Sequence, residues 1–365
     1  MPEEIICRIA LTFIPDLGPV RTRCLIEQLG SAQDIFKASV KQLAAIGGIS
    51  VAAARQIREW KDFSQAEKEL HFAEKRNIRL LFLTDAAYPK RLKHCFDPPV
   101  LLYYRGNADL NHPRILSIIG TRQPSDYGKQ VTLQLFDELR DSNILIVSGL
   151  ALGIDALAHR QALKAGLATV GVMAHGHDRL YPYVHKALSD EMVVQGGLLT
   201  EYPQQTQPDR HNFPKRNRIV AGIADATLVI ETAVRGGSMI TAELAYGYNR
   251  DVFAVPGRLS DYRSSGCLYL IQQQKALLFS DIRLMMESMG WIKPRKKIPS
   301  QRILFPELGP DEQVIVSRLS GGTECHVDEL SLSSGLPASR VAAAILNLEL
   351  QQVIQALPGK RYCLL

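Results

Sequence analysis

The sequence predicts an α/β protein built around a doubly wound, mostly parallel, Rossmann-like sheet. Short apolar runs recur through the middle of the chain, each run is nearly continuous, and helical segments separate most of them. Continuous apolar strands that alternate with helices are typical of a parallel sheet covered by helices on both faces. Ligands of such sheets bind at the carboxyl ends of the strands, so a functional site is expected there.

The middle domain is assigned to residues 76–292. The predicted strands are IRLLFL, VLLYY, RILSII, NILIVSG, ATVGVMA, ATLVIE, DVFAVP and ALLFS. The helical segments predicted between them are 126–140, 151–165, 182–190, 216–224, 238–248 and 281–289. Each strand is short and rich in Ile, Leu and Val, as buried strands are.

Two similar units predict a helical module in residues 1–75. IPDLGPVRTRCLIEQLGS and LAAIGGISVAAARQIREW each place a Gly turn before a helix with apolar residues at helical spacing. This arrangement resembles a tandem helix-hairpin-helix, a SAM-like module whose Gly turns often face DNA phosphates. The second unit has few cations near its turn, so a helical cap that packs on the next domain is an equally open interpretation.

The last part of the chain predicts a winged helix in 309–365, after an exposed basic linker over 293–308. The linker is rich in Pro, Lys and Arg and has no clear period. DEQVIVSRLS, HVDELSLSSG and PASRVAAAILNLELQQVIQAL predict three helices, and PGKRYCLL predicts a wing. Arg340 is the only cation on the expected recognition helix, so this unit is expected to contact a protein and not to read DNA bases.

Composition restricts the class of protein. The chain has 365 residues, enough for two or three domains, and a formal net charge of +6, which is compatible with a polyanionic partner. Its six cysteines include no C-x-x-C pair, which indicates reduced thiols. No run of eighteen apolar residues occurs, and the first residues do not match a signal peptide. We therefore expect a cytosolic protein with no membrane partner.

Turns at the ends of the predicted strands carry groups that suit an anion. The segments are GTRQPS, SGLALGID, HNFPKRNRIVAG and RGGSMITAELA. Helix N-termini present unpaired backbone N–H groups and the positive end of the helix dipole, and glycines let a ligand approach the backbone closely. The candidate binding residues are Gly120, Thr121, Arg122, Ser125, Ser148, Gly149, Arg210, Phe213, Lys215, Arg216, Asn217, Arg218, Gly237, Ser238 and Thr241.

Several such turns along one sheet edge favour a chain of phosphates, because a single mononucleotide needs only one or two of them. The cations of the third turn lie in sequence beside Phe213, a combination that stacks a base while it holds the backbone. Other interpretations stay open at this point. Arg122 can pair with Asp126, and Phe213 can belong to the core.

Other chemistry finds little support. The P-loop pattern G-x-x-x-x-G-K-[ST] is absent, and G-x-G-x-x-G follows none of the predicted strands, so no cofactor is expected. His175, His177, Asp178 and His185 invite a metal, but their spacing is not a standard zinc set, and no metal site is predicted. Three acids near strand ends can act as acids or bases, but nothing supplies a nucleophile, so no catalytic residue is predicted. These acids are Glu201, Glu231 and Glu243.

The middle domain resembles the DNA processing protein A family, also called DprA or Smf. The similarity lies in SIIGTRQPSDYGKQ, IVSGLALGIDALAHRQAL, YPYVHKAL, GGLLTEYP and FPKRNRIVAGIADATLVIETAVRGGSMITAELAYGYNRDVFAVPG. These motifs are long, specific and in the family's order, and the flanking modules fit as well. The resemblance implies a protein that is not an enzyme. Such a protein binds single-stranded DNA, shields it from nucleases and single-strand-binding protein, loads RecA during natural transformation, and acts as a homodimer.

Carried over by motif, the resemblance assigns DNA contacts to most of the candidate residues. These are Arg122, Ser125, Gly149, Arg210, Phe213, Lys215, Arg216, Asn217, Arg218, Gly237, Ser238 and Thr241. The chain departs from the family pattern at Leu152, where the family often has Arg or Lys. It departs again over 266–276, a segment that leads toward the region that the family uses for dimerisation.

Two other classes of function compete with this interpretation. RGGSMITAELA loosely resembles the P-G-G-x-G-T-x-x-E stretch of nucleoside monophosphate phosphoribohydrolases, with Met239 in place of a glycine and Glu243 near the expected acid. Alternatively, the winged helix acts as a sequence-specific repressor and the middle domain as its sensor. The scarcity of cations in the last helices argues against the repressor.

Overall fold

The computed structural model describes residues 2–15, 17–293, 308–320, 324–351, 353–357 and 360–364. The chain divides into two compact units, Met1–Trp291 and Ile292–Leu365. Most of the predicted basic linker, 293–308, lies outside the described residues.

The first unit begins with short helices. They are α1 (Glu4–Leu11), α2 (Pro19–Leu29), α3 (Ala32–Lys37), α4 (Val40–Ala44), α5 (Val51–Glu59) and α6 (Ser64–Lys75). Ser31, Ser39 and Ser50 cap α3, α4 and α5, because each hydroxyl accepts a backbone N–H of the first turn. The apolar faces of these helices share one core with residues of the first two strands of the sheet, such as Phe82 and Tyr103.

The described residues of this unit then form a nine-stranded sheet in the order β1-β2-β6-β5-β4-β3-β7-β8-β9. The strands are β1 (Arg79–Phe82), β2 (Leu101–Gly106), β3 (Ile115–Ile119), β4 (Leu145–Ser148), β5 (Thr169–Val172), β6 (Gly196–Thr200), β7 (Ala226–Val229), β8 (Asp251–Ala254) and β9 (Leu277–Leu278). Strands β3 to β9 pair in parallel, and β2 pairs antiparallel with both β1 and β6. The predicted mostly parallel α/β fold is confirmed.

Strand β6 was not among the predicted strands. It begins with Gly196 and Gly197, which weaken a strand pattern because they add no side chain to it. A Cβ on Gly196 would lie 2.0 Å from the carbonyl oxygen of Thr169, and one on Gly197 would lie 2.4 Å from the ring of Tyr104. The close packing of neighbouring strands therefore requires glycine at both positions, and these two glycines are the reason that the apolar pattern did not predict a strand here.

Helices cover both faces of the sheet. They are α7 (Lys90–Lys93), α8 (Asp126–Leu139), α9 (Ile154–Lys164), α10 (Lys186–Gln195), α11 (Asn212–Ile223), α12 (Gly237–Gly247), α13 (Ser265–Gln272) and α14 (Ile282–Ser288). Short 3-10 turns lie at Tyr183–His185 and Tyr262–Ser264. The predicted helical segments do not include α7 or α13.

The predicted start of α11 at residue 216 is wrong. The helix begins at Asn212, so Phe213 and Lys215 lie in its first turn and not in a preceding loop. Pro214 misled the prediction, although a proline is tolerated in the first turn, where backbone N–H groups have no partner within the helix.

The chain order places a topological switch point between β3 and β7. From β3 the chain proceeds outward through β4, β5 and β6, and it then returns to the other side of β3 as β7, β8 and β9. The helices that follow β3 and β7 therefore lie on opposite sides of the sheet, which opens a crevice at the carboxyl ends of these strands.

The second unit has the helix and strand order of a winged helix. It contains α15 (Pro310–Leu319), β10 (Cys325–His326), α16 (Val327–Ser334), α17 (Ala338–Leu350), β11 (Ile354–Leu357) and β12 (Arg361–Leu364). Strands pair antiparallel in the order β10-β12-β11 over a small apolar core. The predicted winged helix is confirmed, but its third helix ends at Leu350, and Ile354–Leu357 is a strand of the wing.

Candidate nucleic-acid interface

A cleft of about 760 Å³ opens at the carboxyl ends of β3, β4 and β7. The turns after these strands and the starts of α11 and α12 line it. It brings together most of the predicted binding residues, namely Gly120, Thr121, Arg122, Gly149, Arg210, Phe213, Arg216, Asn217, Gly237, Ser238 and Thr241. Segments that are far apart in sequence thus form one surface, as the parallel topology requires.

The turn after β3 holds its arginine out into solvent. Arg122 is exposed and has no acidic partner among the described residues. Asp126, the neighbour that could have paired with it, instead lies 2.8 Å from the Nζ of Lys129. Gly120 keeps the turn tight, because a Cβ there would lie 2.6 Å from Ile154. Arg122 is therefore available to an anion.

Two aromatic rings lie beside this arginine. The guanidinium carbon of Arg122 is 5.7 Å from the ring centroid of Phe213, and the rings of Phe213 and Tyr181 are 5.9 Å apart and tilted by 58°. Phe213 is half-buried and lines the cleft, so it is not a core residue. Tyr181 is 51% exposed and lines the cleft too. Tyr181 is not among the predicted binding residues, although it begins the motif YPYVHKAL that resembles the family.

The N-terminus of α12 closes another side of the cleft without a cap from a side chain. Its N-cap is Gly236, and a Cβ on Gly237 would meet nothing within 4 Å. The Oγ of Ser238 donates a hydrogen bond to the Oγ1 of Thr232 at 2.7 Å, which fixes the turn. An uncapped N-terminus with open space before it suits a phosphate or carboxylate. Thr241 lies one turn further in and is buried.

Arg216 forms the floor of the cleft and is only 4% exposed. Its guanidinium donates hydrogen bonds to the backbone oxygens of Gly149 and Val172. Burial lowers the pKa of Arg216 to about 10, and the nearby carboxylate of Asp155 opposes that shift. A Cβ on Gly149 would lie 2.7 Å from both side chains, so this position requires glycine. Arg216 is charged at neutral pH and contributes a buried positive charge beneath the cleft.

Other predicted residues do not face the cleft. Ser148 is fully buried, and its hydroxyl donates to the carbonyl oxygen of Ile118 at 2.6 Å. Arg218 donates to the carboxylate of Glu201 and to the backbone oxygen of Asp97. Direct contact between a ligand and either side chain does not fit these placements.

Ser125 and Lys215 lie near the cleft but do not line it. Ser125 is the N-cap of α8: its Oγ accepts the N–H of Gly128 at 3.1 Å, and its own N–H donates to Glu231 at 2.9 Å. Lys215 is exposed on the first turn of α11, and its charge opposes the effect of burial, which raises the pKa of Glu201. Ser125 thus shapes the first turn, while Lys215 adds positive charge outside the cleft.

The acids considered for catalysis are engaged elsewhere. Glu243 pairs with Lys275 at 2.8 Å, Glu201 pairs with Arg218, and Glu231 accepts the N–H of Ser125. Among the described residues that line the cleft, Asp155 is the only acidic one, and its charge faces Arg216. The geometry therefore does not favour the phosphoribohydrolase alternative.

The histidine-rich segment serves the fold. His175 accepts the N–H of Tyr181 at 3.1 Å, and His177 contacts the backbone oxygen of Tyr103. Burial lowers the pKa of both imidazoles, that of His177 to about 4. Within the described ranges, no group of three or more His, Cys, Asp or Glu residues lies close enough together to hold a metal ion. Nor does any described helix have the length and apolar character needed to cross a membrane.

Comparisons with known proteins agree with this geometry. The family model for DNA recombination-mediator protein A matches residues 79–290, and that for the DprA winged helix domain matches 305–360. Protein Smf of Synechocystis sp. is 30% identical over 387 residues, which cover 97% of each chain. The X-ray structure of DNA processing protein A from Streptococcus pneumoniae has a TM-score of 0.66 at 33% identity, covering 76% of this chain and 95% of that one.

A second structural relative is DNA processing protein A from Helicobacter pylori, which was described for its single-stranded DNA binding mode. Its TM-score is 0.53 at 31% identity, and the match covers 59% of this chain and 97% of that one. The family models together match most of the chain, and the Smf relative matches it almost from end to end. The chain therefore belongs to the DprA/Smf family of DNA recombination-mediator proteins.

Proposed function

We propose that this chain binds single-stranded DNA in the cleft at the carboxyl ends of β3, β4 and β7, without reading its sequence. The observation that carries the proposal is the placement of Arg122 beside the ring of Phe213, which neighbours the ring of Tyr181, with Arg210 in the lining of the same cleft. Both arginines are exposed and have no acidic partner among the described residues. Cations next to aromatic rings hold a phosphate backbone while bases stack on the rings.

Each part of the cleft then has a role. Arg122, Arg210 and the N-terminus of α12 receive successive phosphates. The residues that let the DNA backbone approach are Gly120, Thr121, Gly149, Asn217, Gly237 and Ser238. Phe213 stacks one base and Tyr181 stacks its neighbour. Arg216 and Thr241 form the floor, and Lys215 and Ser125 contribute at the margin. The single-stranded DNA binding described for the Helicobacter pylori relative supports single-stranded DNA as the ligand.

The family resemblance extends the proposal beyond binding. We infer that the chain protects single-stranded DNA from nucleases and single-strand-binding protein, and that it loads RecA during natural transformation or recombination without catalysing a reaction. Both DNA and RecA are cytosolic partners, which fits the predicted localisation. A homodimer is part of the proposal, and the half-exposed Leu277 and Leu278 on the edge strand β9 offer an apolar edge for it.

Fluorescence anisotropy with a labelled oligonucleotide, single-stranded against duplex, tests the proposal. The full chain and its Arg122→Ala variant are titrated across a salt series. We expect tight binding to the single strand that falls steeply with salt and is weaker for the variant, because phosphate contacts release counterions. Weak binding that does not respond to salt would contradict the proposal and would point to a small phosphorylated ligand. An assay for the release of free base from a nucleoside monophosphate would then test the phosphoribohydrolase alternative.

A further inference from the structure

The loop between β6 and α11 (residues 201–211) contains Arg210 and leads into Phe213. Hydrogen bonds to helix α6 of the N-terminal module fix the first half of this loop. Glu69 on α6 is 2% exposed. Its two carboxylate oxygens accept the backbone N–H of Gln204 at 3.0 Å and 3.3 Å. The side-chain amide of Gln204 in turn donates to the backbone oxygen of Lys68 at 3.3 Å. A segment 135 residues away in sequence is thus fixed to α6.

The next residues of the loop are fixed in the same way. The N–H of Gln205 donates to Asp178 at 2.9 Å, and the carbonyl oxygen of Thr206 accepts the N–H of Gly176 at 3.3 Å. The side-chain amide of Asn212, the first residue of α11, donates to the carbonyl oxygen of Gln207 at 3.2 Å. From Gln204 to Gln207 each residue therefore has a partner, and the chain then reaches Pro208 and Arg210 in the lining of the cleft.

Of the side chains that bind this loop, Glu69 is a buried acid. Burial of a carboxylate is unfavourable unless hydrogen bonds compensate it, and burial raises the pKa of Glu69 while the bonds from Gln204 lower it. The group it binds is the backbone N–H of Gln204, a half-buried residue whose N–H has no other acceptor among the described residues. The acid is thus placed where the helical module meets the loop that carries the cleft's arginine.

We propose that Glu69 is a positioning residue for the cleft: it connects the N-terminal helical module to the loop that sets the place of Arg210. This inference rests on the proposed function, since it assigns the consequence of the contact to single-stranded DNA binding. It gives the helical module a role in that binding even where the module itself contacts no DNA. Neither Glu69 nor Gln204 lines the cleft, so the effect has to pass through the loop.

The first test compares Glu69→Ala with Glu69→Gln and with Glu67→Ala, an exposed acid on the same helix. The affinity of the full chain for a single-stranded oligothymidylate is measured by anisotropy. We expect Glu69→Ala to weaken binding about threefold to tenfold, the effect of losing one partly buried hydrogen bond. Glu69→Gln keeps an acceptor oxygen and should bind within about twofold of wild type. Glu67→Ala should bind like wild type.

A double-mutant cycle separates positioning from general destabilisation. In an Arg210→Ala background, Glu69→Ala should have little further effect, because the arginine that it positions is gone. If Glu69→Ala lowers the affinity for single-stranded DNA equally in the wild-type and the Arg210→Ala backgrounds, the inference is overturned. If Glu69→Ala fails to fold, Glu69→Asp replaces it, since the shorter side chain keeps the charge and withdraws the carboxylate from Gln204.

Hydrogen–deuterium exchange of the free protein adds a readout that does not depend on DNA. Peptides over 203–210 should exchange faster in Glu69→Ala than in wild type, while peptides of β3 and β4 stay unchanged. Wild-type protein that binds no single-stranded DNA would overturn the proposed function, and this inference with it. Wild-type protein that binds, with a Glu69→Ala variant that binds equally well, would overturn this inference alone.

Discussion

The cleft and the C-terminal winged helix both carry exposed arginines, and two arginines of the winged helix differ in their partners from the two at the cleft. Arg122 and Arg210 at the cleft have no acidic partner among the described residues, and Arg122 lies over the ring of Phe213. On the winged helix, Arg340 binds the carboxylate of Asp311, and the guanidinium of Arg361 lies 3.5 Å from Glu324. The number of cations is therefore a poor guide to an anion site, and the absence of a carboxylate partner is a better one.

The remaining surface of the winged helix agrees with this difference. Large apolar side chains on α16 and α17 are exposed, namely Leu332, Leu346 and Leu350. An apolar surface on which Arg340 and Arg361 are already paired with carboxylates suits a protein partner better than a polyanion. The sequence-based expectation that this unit contacts a protein stays a prediction, and the geometry supports it.

The largest expected effect comes from the buried arginine beneath the cleft. Asp155→Ala leaves Arg216 buried without its opposing charge, so we expect the free energy of unfolding of the first unit to fall by about 3 kcal/mol. Asp126→Ala, which breaks an exposed pair with Lys129 in the same unit, should cost about 1 kcal/mol or less. Urea denaturation followed by circular dichroism measures both. If the two variants lose the same free energy of unfolding, burial does not make the Asp155–Arg216 interaction more important for stability than the exposed Asp126–Lys129 pair.

Removal of a ring should have the next largest effect. Phe213→Ala should weaken single-stranded DNA binding by about 1–3 kcal/mol, because a base loses its stacking partner. Phe213→Trp should bind at least as well as wild type. Phe96 provides the control, since its ring is exposed and packs on Tyr248 away from the cleft. A folded Phe213→Ala variant with unchanged affinity in an anisotropy titration would refute stacking at this position.

Loss of a free arginine should change the response to salt more than the choice of DNA sequence. Arg122→Ala should lower the slope of log K against log salt concentration by about 0.7, the value for one phosphate contact on a single strand. The loss should be about equal on all sequences, because no base edge is read. Arg283→Ala is the matched control, since that cation is paired with Glu287 on α14. An unchanged slope for Arg122→Ala would show that this arginine contacts no phosphate.

Sequence patterns predicted most of the fold because buried parallel strands leave a strong apolar signal. They missed β6, where close packing required Gly196 and Gly197. They also located the turns of the cleft, since Gly and cations at strand ends are a local signal. Pairing is not local: the partners of Ser148 and Arg218 lie on other elements, so only the structure places these side chains away from the cleft.

The non-local character of side-chain contacts also explains why sequence patterns did not predict roles for Tyr181 and Glu69. Tyr181 and Phe213 are 32 positions apart in sequence and become neighbours only when the segments after β5 and β6 meet. Glu69 reaches Gln204 across 135 positions, and its pattern on α6 is that of an ordinary surface acid. Contacts that depend on tertiary folding of this kind carry no signature in a single sequence.

The smallest effect is expected on the winged helix, and it tests the comparison most directly. Arg340→Ala combined with Arg361→Ala removes two exposed cations, the same number as Arg122→Ala combined with Arg210→Ala. Because Arg340 and Arg361 already have carboxylate partners, and exposed pairs contribute only about 0–1 kcal/mol, the affinity for single-stranded DNA should stay within about twofold and the salt slope should not change. The cleft pair, by contrast, should lose about 1.4 units of slope. If the two double variants lose the same slope, the winged helix carries part of the strand, and pairing with a carboxylate does not decide which arginines bind DNA.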